Sequence, residues 1–191
     1  MKTVLIRHAE SGYNVHETTH LNSKLTPLGV EQATKVSEFV ANNLDLEGFR
    51  GFVSPFFRCL ETASFIRAAL KNNINFTIEP RIGEHTLLFP QLGFHVMNLR
   101  KTFKHFTWNS TEDFHFIKEN CQETIDRFQG FVDQVKDNSI IVSHGTPVLM
   151  MAKMLMGETL TDIPDWEHQI PNASLTIIED GEAIYLGEVI G

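Results

Sequence analysis

KTVLIRHAESGYNVHETTH, residues 2–20, admits two readings that lead to different folds. Its end, His16-Glu17-Thr18-Thr19-His20, spells H-E-x-x-H. That pattern binds zinc only when a helix places both imidazoles on one face, one turn apart. Its beginning, Lys2 to Arg7, is short, apolar and rich in β-branched residues, which reads as a buried strand. Gly12, Asn14, Thr18, Thr19, Asn22 and Ser23 are poor helix formers, and no long apolar stripe flanks them. The strand reading therefore takes precedence, with Arg7 and His8 at its carboxyl end and HETTH expected in a loop without metal.

Outward from that strand, helices and strands alternate. Thr26-Pro27 supplies a cap and a first-turn proline for a helix whose stripe is Val30, Ala33, Val36, Phe39 and Val40. Gly51 to Val53 is a second strand. Ser54-Pro55 repeats the cap-plus-proline device before Cys59, Leu60, Ala63, Ile66 and Leu70. Asn75 to Ile78 is a strand candidate, and Glu119 to Val135 is helical. Ser139 to Ser143 is a buried strand leading to a helix over Pro147–Met156. Leu175–Ile178 and Ala183–Leu186 form a hairpin turned at Asp180-Gly181. This alternation predicts an α/β fold: three layers, a mostly parallel sheet with helices on both faces. One domain over residues 1–191 is expected. Residues 86–116, dense in aromatics and histidine, read as an insertion over the active site.

Composition narrows the function classes. The 16 basic and 24 acidic residues give a net charge of −8, which disfavours a nucleic-acid binder. No apolar run approaches the ~18 residues of a membrane span. Two cysteines make no disulfide framework, so a reducing, cytoplasmic setting is the default expectation. Cys121 to Arg127 fits the C-x5-R spacing of cysteine phosphatases, but Glu123 and Asp126 would repel phosphate, and the segment reads as a helix surface.

A stronger constellation lies at the strand ends. Arg7 and His8 follow the first strand, His144 and Gly145 follow Ser139–Ser143, and Arg58 lies just beyond the second. In open α/β sheets that edge is where ligands bind. Helix N-termini at Pro55 and Pro147 would add favourable dipoles there. Singly, each of these residues reads as an ordinary surface charge or turn. Together, two arginines and two histidines suit a dianionic phosphoryl group.

Several motifs occur in order along the chain: Arg7-His8-Ala9-Glu10-Ser11 with Asn14; Leu25-Thr26-Pro27-Leu28-Gly29 with Gln32-Ala33; Ser54-Pro55 with Arg58-Cys59 and Glu61-Thr62-Ala63; Glu84; and Ser143-His144-Gly145. In these the sequence resembles the histidine phosphatase superfamily, the phosphoglycerate-mutase-like proteins, in its shorter phosphatase-type form. Glu119 and Arg127 resemble a helix of those shorter members. The resemblance implies a metal-independent phosphomonoester hydrolase without cofactor, acting through a phosphohistidine. By position His8 is the nucleophile. Arg7, Arg58 and His144 neutralise the transferring group, Asn14, Gly145 and Thr146 bind it, and Glu84 is the general acid.

The short span from His85 to Ser143 and its few cations favour hydrolysis over a phosphoglycerate-type mutase or a sugar bisphosphatase. The intact set Arg7, His8, Arg58, Glu84 and His144 argues against a pseudo-phosphatase that only binds phosphorylated ligands. The expected partner is a phosphorylated small molecule or a phosphoprotein. The aromatics of the insertion read as a small satellite core; the sharper alternative is that Trp108 lines the leaving-group side of the pocket and favours flat substrates.

Overall fold

The computed structural model describes residues 1–71, 73–85, 92–94, 96–108, 114–116, 118–165 and 169–190. In chain order the elements are β1 (Lys2–Arg7), α1 (Pro27–Asn43), β2 (Arg50–Val53), α2 (Phe57–Ala69) and β3 (Phe76–Ile78). A 3-10 turn (Pro80–Ile82) leads to β4 (Leu92–Phe94), α3 (Val96–Thr102), β5 (Thr107–Trp108) and β6 (Phe114–Phe116). The chain continues through α4 (Cys121–Val132), β7 (Ser139–Ser143), α5 (Gly145–Leu155), β8 (Ser174–Glu179) and β9 (Glu182–Val189). The main sheet runs in the order β5-β3-β2-β7-β1-β8-β9. Its first five strands are mutually parallel, and β8 and β9 add antiparallel pairs.

The period-two alternation of the strands sorts the core into two halves. Val4, Ile6, Ile140, Val142, Leu175 and Ile177 face one way, onto Ala33, Val36 and Val40 of α1 and Leu60, Ala63 and Ile66 of α2. Leu5, Ile141 and Ile178 face the other way, onto Ile125 and Phe128 of α4 and Val148, Leu149 and Ala152 of α5. These are the three layers expected from the sequence. No helix among the described residues is long and apolar enough to cross a membrane.

The start of α1 locks the first motif in place. The Thr26 hydroxyl accepts from the Gly29 N–H (3.0 Å) and donates to Glu10 Oε1 (2.7 Å). A Cβ on Gly29 would overlap the Glu10 carbonyl oxygen, so the helix can press against the Arg7–Glu10 segment only with glycine there. The hairpin turn falls at Asp180-Gly181 with both residues at positive φ, as a two-residue turn requires.

Two helix starts differ from the sequence expectation. Helix α2 begins at Phe57, and Ser54 does not cap it. The Phe57 N–H is instead taken by Asn22 Oδ1 (2.7 Å), a cap supplied from 35 residues away. Helix α5 begins at Gly145, two residues before Pro147, so the polar start of the helix lies closer to His144. Residues 86–116 also behave differently from a pure insertion. β5 extends the main sheet beside β3, while β4 and β6 pair with each other. Of the aromatics and histidines singled out there, Phe89 and His95 lie outside the described residues, as do the side chains of Phe94, Phe114, His115 and Phe116. Residues 86–91 and 109–113, on which a roof over the site would depend, also lie outside them.

Candidate active site

β1 and β7 are adjacent and parallel, with Arg7 opposite Ser143, so His8 and His144 leave the sheet side by side. Their rings meet edge to face with centroids 5.1 Å apart. Arg58, the second residue of α2, reaches between them. Its Nε donates to His8 Nε2 (3.0 Å), its Nη2 to His144 Nδ1 (3.0 Å) and its Nη1 to the Leu21 carbonyl (2.6 Å). The Phe56 ring lies 4.6 Å under its guanidinium carbon and packs against the His144 ring.

A guanidinium only donates, and this fixes both tautomers. His8 must carry its proton on Nδ1, which donates to the Ala9 carbonyl (2.7 Å), leaving a lone pair on Nε2. His144 must carry its proton on Nε2, facing the Ser54 hydroxyl (2.8 Å). The HETTH stretch is not helical: His16 sits in a turn at positive φ. Cys121 and Arg127 both lie on α4, without the phosphate-cradling loop of a cysteine phosphatase.

Arg7 is 6%, His8 2%, Arg58 5% and His144 0% exposed. Burial, then the charges of Arg58 and Arg7, holds His8 well below its ordinary value, so it is neutral. His144 is lowered for the same leading reasons, burial and then Arg58. Burial also draws Arg7 down to about 10, against the opposing pull of Glu84. Cys59, beside His144, is pushed by burial up to about 12 and stays a thiol.

The neutral histidines tie stability to pH. Below 6.5 the unfolded chain protonates both while the folded chain does not, so the unfolded state binds more protons and acid destabilises the fold. Each histidine contributes up to about 1.4 kcal/mol per pH unit in that window. Glu61, whose carboxyl is raised by burial, acts in the opposite sense. Its effect cancels when a variant is compared with its parent. Urea unfolding between pH 6 and 5 should therefore show a shallower loss for His144→Gln than for the parent. Identical slopes would mean that His144 is not held neutral.

The remaining expected residues fall as follows. Glu84 places Oε2 3.7 Å from His144 Nδ1, with its side chain 17% exposed, while its Oε1 accepts from the His85 N–H. Asn14 sits in the turn after Ser11, with Oδ1 accepting from the Ser11 N–H and hydroxyl. Its amide is the end turned to other partners, Oδ1 having only a marginal 3.5 Å approach from Asn172 Nδ2. Gly145 and Thr146 form the first turn of α5, where backbone N–H groups lack partners within the helix. The buried Thr146 hydroxyl has no hydrogen-bond partner among the described residues.

Trp108 does not join this group. It lies in the edge strand β5, three strands from β7 and four from β1, and its ring packs against the core beside Phe103 and Phe106. At roughly 4.8 Å per strand its backbone stands about 14 Å or more from those two strands. The structure places its ring in core packing.

Sequence reasoning missed three supports. Ser54 orients His144 rather than capping α2. Asn172 donates from Nδ2 to the His8 carbonyl (3.1 Å), alongside the Ala173 N–H (3.1 Å). The Ile170 carbonyl accepts from Arg7 Nη1 (2.7 Å). Ser54, within the quoted Ser54-Pro55 motif, and Asn172, a polar residue just before a buried strand, carried a signal; a backbone carbonyl carries none.

In its chemistry this group of two guanidiniums, an amide, the start of a helix and an imidazole lone pair suits a tetrahedral dianion. Several solved structures share the fold. The ecdysone phosphate phosphatase of Bombix mori, solved with tungstate, superposes with a TM-score of 0.72 at 17% identity, covering 96% of this chain and 92% of that one. A putative alpha-ribazole-5'-P phosphatase from Escherichia coli gives 0.67 at 20% identity, over 100% and 99%. A phosphoserine phosphatase mutant from Entamoeba histolytica, solved with phosphoserine, gives 0.62 at 17%, over 98% and 97%. No curated protein sequence matches the chain. The model of the histidine phosphatase superfamily (branch 1) matches residues 3–183, nearly the whole length. The chain belongs to that superfamily.

Proposed function

We propose that this protein is a phosphomonoester hydrolase that works without a metal, through a phosphohistidine on His8. One observation carries the reading: His8 Nε2 accepts from Arg58 Nε while Nδ1 stands 2.7 Å from the Ala9 carbonyl, so the proton stays on Nδ1 and the Nε2 lone pair faces Arg58. On binding, phosphoryl oxygens replace the histidines as acceptors for Arg58, and Arg7, Asn14 and the N–H groups of Gly145 and Thr146 take the rest. Fixed donors aimed at the transferring group are the main source of rate in phosphoryl transfer.

Nε2 of His8 then attacks phosphorus, the P–O bond to the leaving group breaks, and Glu84 gives its proton to the departing oxygen. In the second half Glu84 takes a proton from water, whose oxygen attacks phosphorus. The N–P bond breaks, inorganic phosphate leaves and His8 is neutral again. Hydrolysis is favoured over transfer between two sites. Arg81 is paired with Glu79 and Arg127 with Glu119, which leaves neither to hold a second phosphate. The substrate is a phosphorylated small molecule or a phosphoprotein. Cys59 and Cys121 are free thiols, in keeping with a reducing cytoplasmic setting.

p-Nitrophenyl phosphate should be turned over at the same rate with and without EDTA or phenanthroline. Quenching during turnover should yield a phosphoprotein stable to base and labile to acid, as a phosphoramidate is. Loss of activity on chelation would sink the metal-independent reading. A base-labile, acid-stable adduct would move the nucleophile to a hydroxyl or carboxylate.

A further inference from the structure

Glu84 belongs to no helix or strand. It follows the 3-10 turn Pro80–Ile82 and Gly83, whose own turn bonds run from the Ile82 N–H to the Glu79 carbonyl and from the Gly83 N–H to the Pro80 carbonyl. What fastens it comes from α4 and β7. Arg127 Nη1 donates to the carbonyls of Arg81 (2.5 Å) and Gly83 (3.1 Å), and Nη2 reaches the Glu84 carbonyl (3.4 Å). The intervening Ile82 carbonyl accepts from the Ser143 hydroxyl (2.6 Å), one residue before His144. Four consecutive carbonyls, from Arg81 to Glu84, are thus gripped by two side chains.

Arg127 is itself held. Its Nε and Nη2 form a forked pair with Glu119 (2.6 and 2.7 Å), and its guanidinium carbon lies 4.3 Å from the Phe128 ring centroid. A guanidinium has five N–H groups. Two go to Glu119 and three to carbonyls, so all five are engaged and none remains for a ligand. This excludes the plain alternative, that Arg127 is another phosphate-binding cation.

We propose that Arg127, clamped by Glu119, is a positioning residue that sets where the Glu84 carboxyl stands relative to the leaving oxygen. The inference rests on Glu84 being the general acid. An error of about 1 Å in such a group can cost ~100-fold. The penalty falls only where proton donation matters. Nitrophenolate leaves readily as an anion and needs little help, whereas an alkoxide needs its proton.

The experiment compares kcat/KM, which reports the step that expels the leaving group, for p-nitrophenyl phosphate and β-glycerophosphate. The full chain, Arg127→Met/Glu119→Gln and Glu84→Gln are measured side by side. The double variant removes the clamp without stranding a carboxylate. We expect it to lose roughly 100-fold on the alkyl ester and about threefold or less on the aryl ester. Inhibition by inorganic phosphate should be unchanged, which reports an intact Arg7–Arg58 pocket. Arg127→Lys keeps the ion pair but cannot reach all three carbonyls, and should fall between. Equal losses on both esters, or loss of phosphate inhibition in step with activity, would reduce Arg127 to a fold-stabilising residue and overturn the proposal. If Glu84→Gln shows no selectivity for the alkyl ester, the acid assignment fails and this inference falls with it. If Glu84→Gln is selective and both Arg127 variants are not, the clamp alone is wrong.

Discussion

Replacing His8 with alanine is expected to lower kcat on any phosphate monoester by on the order of 10⁴-fold or more, because the proposed covalent intermediate forms on its Nε2. The neighbouring candidates are poor substitutes. Cys59 is held as a thiol by burial, and the His144 lone pair on Nδ1 is turned toward Arg58. The fold should survive. The substitution strands the Ala9 carbonyl and the Arg58 Nε–H, each at about 1–3 kcal/mol. That is serious but within the usual 5–15 kcal/mol margin of a domain. It also removes a buried group that costs stability in acid, so the variant should resist low pH better relative to its value at pH 7. Turnover, thermal melting and phosphate binding measured on one preparation decide the matter. A folded His8→Ala protein with substantial turnover would refute the nucleophile assignment.

Arg58 gives the second large effect, and it separates charge from shape. Arg58→Lys keeps a positive charge but loses the fork that serves His8, His144 and the Leu21 carbonyl together. A point charge on a flexible stem cannot replace it, and kcat/KM should fall about 10²–10³-fold. Arg58→Met removes the charge as well. Arg58 is the largest electrostatic influence lowering both histidines, so its loss should let both rise toward 6.5. Titration of the two imidazoles by NMR reads this directly: higher values in Arg58→Met than in Arg58→Lys are expected. Equal values in the two variants would leave burial and the remaining charges, Arg7 foremost, responsible.

The fold was legible wherever the signal was local. β-Branched runs mark β1 and β7, and Thr26-Pro27 marks the start of α1. Asp180-Gly181 marks the hairpin, because only such residues adopt its backbone without strain. The readings that failed each lost to a distant partner. Ser54-Pro55 has the form of a cap, yet the Ser54 hydroxyl goes to His144 and Asn22 caps α2 instead. β5 has two residues and is a strand only because β3 offers an edge. In the candidate site, Arg7, His8, Arg58, Glu84 and His144 were named from the sequence and come together in the fold. Asn172 and the Ile170 carbonyl were not, because a supporting role exists only once the chain is folded.

Those two supports have a bearing on when the site comes into being. The segment that carries the Ile170 carbonyl, Asn172 and Ala173 is itself seated by β9, where Gly187, at positive φ, leaves room for the Gln169 carbonyl that any side chain would block. The first motif of the chain is therefore completed by residues more than 160 positions later. Contacts of such span form slowly and after the local ones. On the ribosome the proposed nucleophile would be made well before the residues that align it, and a nascent chain lacking β8 and β9 would carry every proposed catalytic side chain without the geometry that joins them.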